Sequence, residues 1–167
     1  MRALTITQPW AGLIAAGIKL VENRPRRMIK REDFGQQFAI HASREIDRKA
    51  WARIIEIAPE TAIDYPGPMA PRARLHRLAA ITSAVIAVAT LDSCLDPMAC
   101  GIDPSHPDAA APLPIDQRRY FFGPIGYVLR DVIALPTPVP CKGMLGFWTL
   151  PADVERAVVE QLGERAA

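Results

Sequence analysis

Apolar and polar positions alternate from Ala3 to Thr7, the period of a strand with one face buried, and the pattern changes at Pro9. From there Trp10, Ala11, Leu13, Ile14, Ala15 and Ala16 predict a short apolar helix, with Thr7 as its N-cap, Pro9 in its first turn and Gly17 as its stop. Lys19 to Asn23 and Gln37 to Ala42 read as strands. Ser43 then caps a helix from Arg44 to Ile57, in which Ile46, Ala50, Ile54 and Ile57 recur at helical spacing. Thr82 to Leu91 is a nearly continuous apolar run, as expected of a central buried strand. Gly126 to Leu135 and Met144 to Thr149 predict two more strands. Pro151 to Arg165 predicts a helix with Ala152, Val154, Ala157, Val158 and Leu162 on one stripe. Two stretches resist any regular period. Pro59 to Arg74 holds four prolines and a glycine and reads as a loop or lid, and Asp92 to Asp116 holds five prolines.

Strands that follow one another in runs, with few helices, predict an α+β fold: a small β-barrel of five or more strands with two to three flanking helices, rather than alternating βαβ units. At 167 residues and 50% hydrophobic content the chain is long enough for one core and too short for two. Residues 1–150 are therefore expected to form one domain, with 151–167 a C-terminal helix packed on it. No apolar run approaches the roughly 20 residues that cross a bilayer, and Met1-Arg2-Ala3 leads into strand-like sequence rather than a signal peptide. Three sparsely placed cysteines argue against a disulfide framework. The expectation is a cytoplasmic protein with no membrane partner.

Net charge is only +2, but its distribution is uneven. Five of the eight residues from Arg24 to Arg31 are basic (Arg24, Arg26, Arg27, Lys30, Arg31), and Arg72, Arg74, His76 and Arg77 form a second cluster. Such density attracts phosphates in a strongly salt-dependent way; the plainer reading is a solvated loop balanced by Glu32 and Asp33. Just upstream, Gly17-Ile18-Lys19-Leu20-Val21-Glu22-Asn23-Arg24 brings three charges of mixed sign together after the first helix. On a regular strand Lys19 and Arg24 fall on opposite faces, so the trio converges only if a bend or bulge intervenes. Lysine becomes a base or activator when burial lowers its pKa, glutamate beside a desolvated cleft serves as a general base, and arginine offers a planar fork to phosphate. These roles suit hydrolysis and simple nucleotide binding equally. Lys19 is expected to be a functional surface residue, so that Lys19→Ala leaves stability within about 0.5 kcal/mol while lowering ligand affinity or turnover well beyond that.

Tyr120, Phe121 and Phe122 follow Arg118 and Arg119, the mixture of rings and guanidinium groups that single-stranded RNA recognition uses, with Tyr120 the candidate stacking platform. Trp10 reads as a packing residue, His41 as a strand-end residue beside the candidate cleft, and Ser43 as a cap rather than a nucleophile. Cys94, Cys100 and His106 lack both C-x-x-C pairing and a fourth ligand. With no Gly-rich phosphate loop, H-E-x-x-H or EF-hand pattern, neither a metal nor a cofactor is implied.

Four further segments flank the charged motif: Leu4-Thr5-Ile6-Thr7-Gln8-Pro9-Trp10-Ala11, Phe38-Ala39-Ile40-His41-Ala42-Ser43, Phe122-Gly123-Pro124-Ile125-Gly126-Tyr127-Val128-Leu129, and Pro138 to Trp148. In this order, and over most of residues 3 to 149, the series resembles the ASCH family (activating signal cointegrator homology), whose signature is G-x-K-x-x-E-x-R. The resemblance implies a PUA-like β-barrel with a cleft beside the signature and a link to RNA or modified nucleosides. One branch of the family consists of amidohydrolases of acetylated cytidine, in which the signature lysine works with a threonine three residues later; here Glu22 stands at that position. Another branch cleaves single-stranded RNA, and others bind nucleic acid. The expectation is an RNA- or nucleic-acid-binding protein with a basic cleft, contacted through Arg24, Arg26, Arg27, Lys30, His41 and Tyr120. The alternative is a metal-independent hydrolase of single-stranded RNA or of a modified nucleoside, with Lys19 and Glu22 as its catalytic pair. RNA or a modified nucleoside is the expected partner, and no obligatory protein partner is evident.

Overall fold

A strand can be apolar along its whole length only where both of its faces are covered, and the longest apolar run of this chain lies at the centre of the sheet. The computed structural model describes residues 1–59 and 71–164. In chain order the elements are β1 (Arg2–Gln8), α1 (Trp10–Ala15), β2 (Val21–Arg24), β3 (Gln37–Ile46), α2 (Arg48–Ile57), α3 (Pro71–Ala80), β4 (Ala84–Leu95), α4 (Ile115–Arg118), β5 (Ile125–Pro140), β6 (Phe147–Thr149) and α5 (Ala152–Glu164). The strands form one sheet in the order β2-β5-β4-β3-β1-β6. Only β1 and β3 run parallel.

Alternation along the strands supplies two apolar layers. Leu4, Phe38, Ile40, Ile86, Leu91 and Leu129 bury one face against Ile14 of α1, while Ala3, Ala39, Val85, Val88 and Leu135 bury the other against Val154 and Val158 of α5. The C-terminal helix thus packs on the sheet through Val154 and Val158.

The fold is α+β as expected, but the sheet is open: its two edges, β2 and β6, are not paired with each other. Curvature takes the place of closure. Register shifts interrupt the β4–β5 ladder at three points, and Asp131 adopts φ 50° within β5, so the long strands bend. The curl brings β2 to β1 although three strands stand between them in the sheet, and the Arg24 Nη2 donates to the Thr5 carbonyl oxygen at 2.7 Å.

Several boundaries differ from the sequence expectation. Ser43 to Ile46 continue β3, because Ile46 pairs with Gln8, and sheet pairing overrides local helical period. Asp47 is the cap of α2, accepting from the Lys49 and Ala50 amides at 3.0 and 3.2 Å, and Ser43 Oγ donates instead to the Glu45 carbonyl at 2.7 Å. Of the expected loop from Pro59 to Arg74, residues 60–70 lie outside the described residues, and Pro71 opens α3. Buried Gln8 holds that helix, donating to the Leu78 and Ile81 carbonyls at 2.7 Å and accepting from the Gly12 amide at 2.9 Å. The second proline-rich stretch carries 3-10 turns at Pro97–Cys100 and Pro107–Ala110 and then α4, so the described helices number five rather than two or three. Among the described residues no helix is long and apolar enough to cross a membrane.

Candidate functional site

The bend that the charged motif requires lies just before β2. That strand begins at Val21, so Lys19 stands in a turn, while Glu22 and Arg24 are two apart and share one face. Gly17 reverses the chain at φ 76°, and the Ile18 and Lys19 amides then donate to the Leu13 carbonyl at 3.0 and 3.3 Å. Gln117 of α4, itself buried, clamps the same turn: its Oε1 accepts from the Leu20 amide at 2.7 Å and its Nε2 donates to the Ile18 carbonyl at 3.2 Å. At the third residue of the strand, Asn23 donates to the Tyr120 carbonyl at 2.8 Å and accepts from the Phe122 amide at 3.0 Å.

The three charges therefore converge. Lys19 Nζ lies 3.2 Å from Glu22 Oε2 and donates also to the Val21 carbonyl, and Glu22 Oε1 lies 3.1 Å from Arg24 Nη2. Lys19 is only 1% exposed, which overturns the reading of it as a surface residue. Burial pulls its ammonium below the usual lysine range; the Glu22 carboxylate opposes this, and the Arg24 charge adds to it. Arg24 Nε is buried with no hydrogen-bond partner among the described residues.

This charge chain forms one wall of a cleft of about 240 Å³, whose lining includes Thr5, Trp10, Lys19, Glu22, Arg24 and Phe122. The Trp10 and Phe122 rings stand 5.3 Å apart at 49°, and Lys19 Nζ lies 5.7 Å from the Trp10 ring centroid. Arg53 of α2 lays its guanidinium 3.9 Å from the centroid of the Phe122 ring. An aromatic pair beside a cation-rich, half-desolvated wall can hold a planar, polar-edged group. Glu22 supplies an acceptor there.

The remaining sequence candidates scatter. Arg26 is exposed on the segment after β2. Arg27 Nε is held 2.7 Å from Asp96 Oδ2, and Lys30 Nζ lies 3.5 Å from Glu32 Oε1. His41 is buried on β3 in register with Thr5, its Nε2 donating to the Cys141 carbonyl at 3.1 Å and its ring edge-on to Trp148 at 5.8 Å. Burial holds the His41 imidazole below its ordinary range, against the opposing pull of the Cys141 carbonyl. Tyr120 does not offer a stacking face: it is fully buried, packed with Val21, Ala109, Leu113 and Phe121, because α4 turns it inward. Sequence reasoning missed Phe122, Arg53, Gln117, Asn23 and Thr5 as site residues, and it read Trp10 as a packing residue alone, whereas Trp10 packs on the core and also lines the cleft. Only Phe122 carried a signal, as the third ring of the segment from which Tyr120 was chosen. Among the described residues no group of three His, Cys, Asp or Glu side chains is placed to hold a metal ion.

No protein-family model matches the chain, and no curated protein does. Solved structures do. The crystal structure of ASCH from Zymomonas mobilis superposes with a TM-score of 0.50 at 16% identity, covering 95% of this chain and 93% of that one. Two single-substitution variants of the same protein, tyrosine to phenylalanine and serine to alanine, superpose with the same score and identity over 95% of this chain and 96% and 94% of theirs. At this identity the likeness is one of fold, and the fold of this chain is that of an ASCH domain.

Proposed function

We propose that this protein binds single-stranded RNA, seating one nucleobase or nucleoside in the cleft between Trp10, Phe122 and the Lys19–Glu22–Arg24 wall. The reading rests on that juxtaposition: a charge chain withdrawn from solvent behind two rings, with the basic segment from Arg24 to Arg31 continuing directly out of it. At about 240 Å³ the cleft is smaller than the roughly 300–1,000 Å³ of drug-sized ligand sites, which suits a single unstacked base. Arg26 supplies exposed charge for the backbone, and the ring faces supply stacking that tolerates any base. Binding of labelled single-stranded RNA, compared with a duplex of the same sequence, tests the reading; equal affinity for both would overturn the unstacked-base cleft.

A second reading is favoured by the desolvated Lys19–Glu22 pair. In a hydrolase, Glu22 would take a proton from water as its oxygen attacks an acyl carbon or phosphorus, Lys19 and Arg24 would stabilise the developing oxyanion, and the proton would pass to the leaving nitrogen or oxygen as its bond to that carbon or phosphorus breaks. Incubation with RNA and with acetylated cytidine, followed by analysis for cleaved products, separates this from binding alone.

A further inference from the structure

Thr5 lines two clefts at once: the one beside Lys19 and a neighbouring one of about 430 Å³ over His41, walled by Ser43, Arg44, Ser83 and Lys142. We propose that this second cleft holds a backbone phosphate next to the nucleotide seated beside Lys19, an assignment that rests on the RNA-binding reading above. Arg44, near the end of β3, and Lys142, beyond the end of β5, converge on it from separate elements. Both are exposed, neither forms an ion pair among the described residues, and no carboxylate lines the cleft. Two cations facing one concavity without a counter-charge repel each other until an anion enters, and the anion that an RNA strand brings is a diester phosphate.

The walls are built rather than incidental. Ser83 holds a left-handed φ of 54°, which costs a non-glycine residue energy. In that conformation its amide donates to the Ser43 carbonyl at 3.4 Å and its carbonyl accepts from the Cys141 amide at 3.0 Å, tying both walls together. His41 forms the floor. Its Nδ1 is buried and has no hydrogen-bond partner among the described residues, and Gly143 packs so closely on the ring that a Cβ there would stand 2.5 Å from Cε1. The groups around the imidazole are Thr5, the Cys141 carbonyl, Trp148 and, across the cleft, Arg44 and Lys142.

The test compares the parent with a double variant, Arg44→Ala with Lys142→Ala, against three probes: a single-stranded hexaribonucleotide, free cytidine and inorganic phosphate. Both side chains are exposed, and the thermal midpoint verifies that the variant is folded. The expected result is an affinity for the hexaribonucleotide lower by about tenfold and a salt slope flatter by about 0.7 units, the amount for one phosphate contact on a single strand, with cytidine binding unchanged. A variant that binds the hexaribonucleotide with the parent's affinity and slope overturns the phosphate subsite and leaves the RNA-binding reading standing. A parent that binds neither cytidine nor RNA removes both. Inorganic phosphate that binds the parent, is lost in the variant and fails to compete with the hexaribonucleotide would overturn the assignment to a polynucleotide.

Discussion

Lys19 Nζ and Glu22 Oε2 face each other at 3.2 Å with both side chains buried, and Arg24 closes on the other carboxylate oxygen at 3.1 Å. One carboxylate thus bridges two cations, so the two ends of the chain respond differently to mutation. Lys19→Met leaves Glu22 paired with Arg24 and costs about 1 to 3 kcal/mol for the acceptors left unmet at Val21 and Glu22. Because the folded pKa of Lys19 is lowered, the unfolded chain binds more protons as the ammonium titrates. Stability therefore rises with pH from that lowered value up to about 10.4, the ordinary lysine pKa, and gains nothing from this group below the window. Urea titrations from pH 8 to 10.5 should find this rise in the parent and not in Lys19→Met; parallel profiles would sink it.

Glu22→Gln removes the countercharge that Lys19 and Arg24 share. Stability should fall by about 3 to 5 kcal/mol near neutral pH and recover partly as Lys19 deprotonates. If the protein is a hydrolase, turnover measured below the melting transition falls by about 10² to 10⁴. If it only binds, RNA affinity holds or increases. Retained turnover at the parent rate would remove Glu22 from the chemistry.

The basic segment should contribute less than its five charges suggest, since Arg27 is held by Asp96, whereas Lys30 and Glu32 form only a solvated pair 3.5 Å apart that does not withdraw Lys30 from phosphate. From sequence alone, replacing Arg26, Arg27 and Lys30 with Ala flattens the salt slope by about 2 to 3 units. The structure revises this to about 1.4, from Arg26 and Lys30 at about 0.7 per phosphate contact. Binding measured between 50 and 300 mM salt for the single variants decides, and equal slope changes for Arg26→Ala and Arg27→Ala would contradict the pairing.

Phe122 and Tyr120 exchange roles relative to the sequence expectation. Phe122→Ala should weaken single-stranded RNA binding by about 1 to 3 kcal/mol through lost stacking. Tyr120→Phe, at a ring sealed in the core, should leave RNA affinity unchanged. Fluorescence titration of both variants checks this, and a loss confined to Tyr120→Phe would reverse it.

Gly143→Ala forces a methyl within 2.5 Å of His41 Cε1 and 2.9 Å of Thr5 Oγ1. The ring has little freedom to retreat, with Trp148 against it and Cys141 on its Nε2, so a loss of about 1 to 3 kcal/mol is expected. A thermal midpoint equal to the parent's would mean that the loop yields instead.

Period alone determined most of the layers. The apolar run of β4 and the stripe of α5 are local patterns: Ala84 to Leu91 are buried, as are Val154 and Val158 of the stripe, although Ala152 at its head is exposed; β1, read as burying one face, buries Ala3 on one side of the sheet and Leu4 and Ile6 on the other. The G-x-K-x-x-E-x-R spacing likewise identified the three charges that meet. Tertiary structure decided how they meet. Whether Lys19 joined Glu22 and Arg24 depended on a turn clamped by Gln117, which lies 98 residues away in a stretch whose prolines hide its order. Whether Arg24 met Thr5 depended on the curl of a six-stranded sheet. Tyr120 and Phe122 are two apart in one aromatic run, and nothing local distinguishes the ring that α4 buries from the one that the Asn23 contact holds at the cleft. Burial of a charged or aromatic side chain is set by what folds over it, and that information is spread along the whole chain rather than held in its neighbours.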